Sequence, residues 1–196
     1  MQSNKEEKSM SCGYVINVTA IDRPGIVAGV SSAIKNLGGN IESCSQTVLD
    51  GYFTLIMTFS LQEAVDPDAL KAKILQEKGL EGCQAVLLST ADAKKAAEAS
   101  ESNIFVVTAF GKDSEGIVAQ FTRYLGDKEI NIVDLYGDIT PEGDFVLIGQ
   151  VEVDPKLDIQ NIKYDLEALG EQVGFTVRIQ HNNIFVATNH IRLNRR

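Results

Sequence analysis

The sequence predicts an α+β protein built from one small unit used twice, each unit a four-stranded antiparallel sheet with two helices on one face. Two observations carry this: an internal repeat with a spacing of 91 residues, and the same order of strand-like and helix-like segments in both halves. Sliding the chain by 91 residues aligns Asp22, Gly25, Ile26, Val27, Ala28, Asn40 and Ile41 with Asp113, Gly116, Ile117, Val118, Ala119, Asn131 and Ile132. These seven identities fall within twenty positions, where chance gives about one or two. Val18, Thr19 and Ala20 also match Val107, Thr108 and Ala109 if two extra loop residues are allowed in the second copy.

Residues 14–20 are apolar and β-branched, as expected of a central strand covered by helices. After the turn at 22–25, Ile26, Val27, Val30, Ile34 and Leu37 recur at helical spacing, and Gly38 with Gly39 ends the helix. Ile117, Val118, Phe121 and Leu125 repeat the first four of these positions. A hairpin follows, 41–49 and 52–61, joined by Asp50 and Gly51 in a two-residue primed turn. Its counterpart is 132–140 and 145–153, flanking 141–144.

Asp66 and Pro67 open the second helix as N-cap and first-turn residues, with Leu70, Ile74 and Leu75 inward. The partner helix is expected to open near Asp154 and Pro155, with Ile159, Ile162, Leu166 and Leu169 inward. Strands at 84–88 and 175–179 close each unit. Strand, helix, hairpin, helix, strand is the ferredoxin-like βαββαβ order. It leaves one sheet face bare, and so small a core per copy predicts that bare faces or edges pair with the sister copy or another subunit.

The formal net charge of −9 disfavours direct nucleic-acid binding, since that affinity comes largely from Lys and Arg displacing counterions. No apolar run approaches the ~20 residues of a membrane span, and the first residues lack the apolar segment of a signal peptide. A cytoplasmic protein is expected. Cys12, Cys44 and Cys83 sit at unrelated spacings and read as small apolar core residues rather than a disulfide or metal framework. With only His181 and His190 as histidines, no metal cluster, catalytic triad or cofactor site is assembled. No enzyme activity is expected.

The repeated identities concentrate at the start of the first helix and of the second strand. A helix N-terminus offers backbone N–H groups to a carboxylate, and Gly25 or Gly116 lets a ligand approach the backbone. Asp22 or Asn40 can accept from an ammonium group, so together these residues suit a zwitterionic amino acid. The structural alternatives are that Asp22 caps the helix, Gly25 relieves a tight turn, and Asn40 adopts a left-handed conformation after the glycine pair.

Asp22, Arg23, Pro24, Gly25, Ile26 and Val27, followed by Gly38, Gly39, Asn40 and Ile41, resemble the opening signature of the ACT domain, the regulatory module of many amino-acid-responsive enzymes. Two such domains without an attached enzyme are similar to the glycine cleavage system transcriptional repressor family. The resemblance covers ACT-like domains at 13–90 and 103–181; composition marks 1–12 as a disordered leader and the Ala-, Lys- and Glu-rich 91–102 as a solvated linker, which leaves a tail at 182–196. In the tail, Asn183, Ile184, Phe185 and Val186 repeat Asn103, Ile104, Phe105 and Val106, which suggests an extra edge strand.

The resemblance further implies a free amino acid held where two ACT domains meet. The loop after the first strand supplies backbone contacts, and the Asn opening the second strand reaches over from the neighbouring domain. By position this nominates Asp22, Arg23, Pro24, Gly25, Ile26, Asn40 and Ile41, and in the second copy Asp113, Ser114, Gly116, Ile117 and Asn131. The second copy departs where Arg23 and Pro24 become Ser114 and Glu115; the added carboxylate repels a ligand carboxylate, so two equivalent sites are not expected. The implied partners are an amino acid, a second copy of the chain through sheet edges or faces, and a regulated protein.

Three other readings compete with this one. Acylphosphatases share this fold and use a loop Arg with an Asn on the second strand, for which Arg23 and Asn40 are the candidates, although the phosphate-cradling loop of that family is missing. Gly51, Tyr52 and Phe53 have the look of an RNA-binding strand, yet Asp50 stands where a basic residue belongs. A ligand-free protein-interaction scaffold is the third.

Overall fold

The computed structural model describes residues 11–90 and 104–188. The chain divides into two compact units, Met1–Ala96 and Ala97–Arg196. Unit 1 runs β1 (Cys12–Ile21), α1 (Ile26–Asn36), β2 (Asn40–Leu49), β3 (Tyr52–Leu61), α2 (Pro67–Leu75) and β4 (Gln84–Ser89). Unit 2 runs β5 (Ile104–Lys112), α3 (Ile117–Asp127), β6 (Asn131–Ile139), β7 (Asp144–Glu152), α4 (Ile159–Gln172), β8 (Phe175–His181) and α5 (Asn182–Thr188). The sheets are antiparallel wherever strands pair, in the orders β2-β3-β1-β4 and β6-β7-β5-β8. The fold is two ferredoxin-like units in tandem.

Alternation along the central strands decides which face is buried. Tyr14, Ile16, Val18 and Ala20 of β1, with Phe53, Leu55, Met57, Phe59 and Leu61 of β3, join Ile26, Val30, Ile34, Leu70 and Ile74 of the helices in one core. Tyr14 stacks on Phe59, and its hydroxyl is satisfied from both sides: it donates to the Val65 carbonyl at 2.9 Å and accepts from the Val65 N–H at 2.7 Å. Unit 2 builds its own core from Val107, Ala109, Phe121, Leu125, Leu147, Ile162, Leu166 and Val177.

Several expectations are corrected. The Val-Thr-Ala match is not a structural equivalence: Ile21 pairs with Tyr52 and Lys112 with Asp144 at the same end of each ladder, so the 91-residue offset runs through the whole first strand. Val18 therefore corresponds to Ala109. A two-residue slip keeps every side chain on its face, which is why alternation alone could mimic a match. The helix expected near Asp154 and Pro155 starts at Ile159, with Asp158 accepting from the Gln160 N–H; Asp154 instead forms a turn that receives the N–H groups of Lys156 and Leu157. Cys12, placed in the leader, is the first residue of β1, and residues 1–10 lie outside the described residues, as does the linker 91–102.

The extra edge strand is replaced by α5. The sheet ends at β8, and the segment that follows coils into a helix instead of adding a fifth strand to that edge. At the end of β8 the His181 Nδ1 accepts the Asn183 N–H at 3.3 Å, and the chain turns into a helix lying against β5 and β8. Residues 189–196, which hold the basic end, are outside the described residues. Cys12 and Cys83 pack beside the core as expected, whereas Cys44 is exposed on edge strand β2.

Candidate functional site

The loop from Asp22 to Gly25 is shaped by two backbone constraints. The Asp22 N–H donates to the Gly51 carbonyl at 2.8 Å, which ties the end of β1 to the β2–β3 turn. In that turn Asp50 and Gly51 have φ values of 49° and 78°, the left-handed pair of a primed hairpin turn. Gly25 then enters the helix at φ 101°, a conformation that L side chains rarely adopt, and its carbonyl accepts the Gly29 N–H. Gly25, not Asp22, is the N-cap, and no side chain caps α1. Gly116 does the same for α3 at φ 80°, again without a side-chain cap. Both helices begin with uncapped backbone donors and no acidic residue in the first turn.

Above the start of α1 lies an open cleft of about 700 Å³, lined by Asp22, Arg23, Pro24, Gly25, Ile26, Val27 and Ala28 from the loop and helix. Gln46, Val48 and Phe53 of β2 and β3 complete its wall. Val27, expected on the buried stripe, is 40% exposed and stands in this cleft, while Gly29 and Ala33 take buried positions on α1. Cross-strand pairing puts Gln46 beside Leu55 and Val48 beside Phe53, so both β2 residues face the helix-covered side of the sheet. Gln46, Val48 and Phe53 are not among the amino-acid-binding residues nominated from the sequence. Phe53 is buried against the core, not presented for base stacking.

Asn40 and Ile41 are elsewhere. Asn40 pairs with Ser60, at one end of β3, whereas the loop adjoins Tyr52 at the other, eight residues or about 26 Å along the strand. Asn131, paired with Glu152, is at the matching far end in unit 2. Both Asn-Ile pairs precede a register shift, between Ile41 and Ser43 in β2 and between Ile132 and Asp134 in β6. Asn40 is not among the left-handed residues. Within one unit, then, the nominated residues form two groups: loop and helix start at one end, the Asn-Ile pair at the other.

Arg23 lines the cleft, but its guanidinium is committed to backbone carbonyls beside it. Its guanidinium donates to the carbonyls of Gly79 and Glu81 and at 3.4 Å to that of Ile21, and lies 3.5 Å from the Cys83 sulfur. The N–H groups of Glu81 and Gly79 hold the Glu81 carboxyl below the usual carboxylate range, with the nearby Arg23 charge adding to this. Arg23 therefore clamps its loop to the α2–β4 connection. It is engaged there, and far from Asn40, which separates the pair an acylphosphatase would bring together. In unit 2 the corresponding Ser114 and Glu115 are exposed, and the Ser114 carbonyl accepts a long 3.5 Å bond from the Ile117 N–H.

The ACT-domain profile matches residues 14–86 and again 103–180. The chain belongs to the ACT-domain family. It is a tandem ACT-domain protein, and these domains place it among ligand-binding regulatory proteins. A UPF0237 protein of Methanococcus maripaludis is 37% identical over 81 residues, which is 41% of this chain and 89% of that protein. A UPF0237 protein of Streptococcus mutans is 54% identical over 52 residues, 26% of this chain, and the match spans only 59% of that relative's length. Among solved structures, a protein of unknown function from Galdieria sulphuraria superposes with a TM-score of 0.73 at 27% identity, covering 87% of this chain and 98% of its own. A candidate glycine cleavage system transcriptional repressor matches in fold, with a TM-score of 0.58 at 18% identity over 89% of this chain and all of its own. Among the described residues, no helix of the tandem ACT-domain protein is long and apolar enough to cross a membrane.

Proposed function

We propose that this tandem ACT-domain protein is a non-catalytic cytoplasmic regulator that binds a free amino acid between ACT domains and passes the signal on through protein contacts. The observation that carries the reading is the open cleft at the uncapped start of α1, set beside an edge strand, β2, exposed along its whole length. A ligand carboxylate meets the backbone donors of the first helical turn, and Asp22 accepts from the ammonium group. Family membership supports a ligand of this kind.

The separation of Asn40 from the loop fits a site completed by another domain. If β2 pairs antiparallel with β2 of a second copy of the chain, the start of one strand lies beside the end of the other. Asn40 of the partner subunit then comes to the cleft that its own unit cannot reach. The protein is accordingly a homodimer through this edge, with a regulated protein as its further partner and no direct contact with nucleic acid or membrane. The test is a thermal-shift screen against free amino acids, followed by calorimetry on the stabilising one with Gly25→Val and Asn40→Ala. Selective binding lost in both variants is the expected result. A flat screen, or binding that survives both substitutions, rejects the proposal and favours a ligand-free scaffold.

A further inference from the structure

We infer that the unit 1 cleft takes a neutral amino acid whose side chain both donates and accepts hydrogen bonds, that Gln46 is the residue reading that side chain, and that each chain binds one such molecule rather than two. This rests on the amino-acid-binding reading above and supplies its chemistry.

Gln46 lines the cleft from the helix side of β2, one step further from the hairpin turn than Val48 on the same face, with an amide that offers both donors and an acceptor. The other lining side chains facing it, Ile26, Val27, Ala28, Val48 and Phe53, are apolar. Once Asp22 holds the ligand ammonium group, Gln46 is the polar group left to meet the ligand side chain. A carboxylate side chain would meet Asp22 in a chain of net charge −9, with the Arg23 guanidinium committed to the Gly79 and Glu81 carbonyls. A cationic side chain finds no second carboxylate in the lining.

Unit 2 lacks these features at the same ladder position. Gln46 pairs with Leu55 and its counterpart Gly137 with Leu147, and a Cβ on Gly137 would stand 2.9 Å from the Phe145 ring. A ring therefore occupies the space in which a reading side chain would start. Glu115, which stands where unit 1 has Pro24, is exposed just before α3, where a ligand carboxylate would have to bind.

The experiment is titration calorimetry of the full chain with L-serine, L-threonine, L-glutamine, L-alanine, L-valine, L-aspartate and L-lysine. One of the three hydroxyl or amide amino acids is expected to bind tightest, at one molecule per chain. Gln46→Leu, on an exposed strand, is expected to weaken that binding at least tenfold with an unchanged melting temperature, and Gln46→Asn to retain more of it than Gln46→Leu. Tightest binding by L-alanine, L-valine or a charged amino acid, undiminished binding in Gln46→Leu, or two molecules per chain would overturn this inference while leaving amino-acid binding intact. Silence from all seven would overturn both.

Discussion

Almost the same length of chain, 67–83 and 159–174, runs from the start of the second helix to the last strand in the two units, and it is spent differently. In unit 1 α2 stops at Leu75 and residues 76–83 form a loop before β4; in unit 2 α4 continues to Gln172 and only residues 173–174 separate it from β8. Glycines at 79 and 82, with φ of 91° and 74°, let the unit 1 loop fold back over α1. There Leu80 is buried, and Gly29 makes room for it: a Cβ on Gly29 would lie 2.9 Å from Leu80. The equivalent α3 position is Gln120, which meets no such loop. Unit 2 uses its glycine on the other helix, Gly170, where a Cβ would stand 2.5 Å from Val177 and 2.7 Å from the Phe175 carbonyl, so that α4 packs directly on β8. The Arg23 clamp belongs to the first solution, because the carbonyls it binds are in the loop that unit 2 does not have. Duplication preserved the helix start in both units and gave only one of them a second support.

The comparison breaks first at Leu80. Leu80→Ala should destabilise unit 1 by about 3 kcal/mol through the cavity it leaves, and hydrogen exchange read separately on the β1 and β5 amides should show the loss confined to β1. Equal loss in both units would mean they unfold together. Arg23→Ala removes charge-assisted bonds to carbonyls and should cost about 1–2 kcal/mol in unit 1, whereas Ala at Ser114 should be nearly neutral by the same measurement. Gly25→Ala and Gly116→Ala should each cost about 1 kcal/mol, because a Cβ at either meets nothing within 4 Å and only the left-handed backbone is strained. Unequal costs there would show that the two helix starts are not equivalent.

The smallest effect sharpens unit 2. Tyr124 of α3 donates to Asp165 of α4 at 2.9 Å, a link between the helices, and Lys128 lies 3.6 Å from the same carboxylate. Burial first, then the Asp165 carboxylate, pushes the Tyr124 phenol above its usual range. A raised phenol stabilises the fold fully below the ordinary tyrosine pKa, about 10, and that contribution is lost as pH climbs through the raised value. Tyr124→Phe should therefore cost about 1 kcal/mol at neutral pH and flatten the alkaline part of the unit 2 stability profile.

The duplicated architecture was legible because periodicity is local: alternation on β1 and β3, helical spacing on α1, and the Asp50-Gly51 turn all speak through near neighbours. The failures have a common physical origin. Asp154-Pro155 has the chemistry of a helix start, but Asp158, four residues on, supplies the cap actually used. Ile184, Phe185 and Val186 have strand composition, yet they lie in a helix against β5 and β8, a tertiary contact that local composition does not announce. At the candidate site the loop and its glycines could be read directly. Arg23 was read as facing a ligand because its partners at Gly79, Glu81 and Cys83 lie more than fifty residues away, with no spacing to announce them. Gln46 escaped notice as one polar residue on a polar strand; the signal that finds it is the ladder, which sets it beside buried Leu55.

Edge strand β2 has one further consequence. Its ten residues are all exposed and include a single charged side chain, Glu42, whereas β6 carries Asp134 and Asp138. Bare backbone of that length is a growth point: without the proposed β2 partner, chains can add strand upon strand into fibrils, while the aspartates of β6 discourage the same fate. Purified dilute, the protein should stay clear; an alteration that blocks orderly pairing without charging β2 should show itself as a thioflavin-positive deposit before any loss of secondary structure.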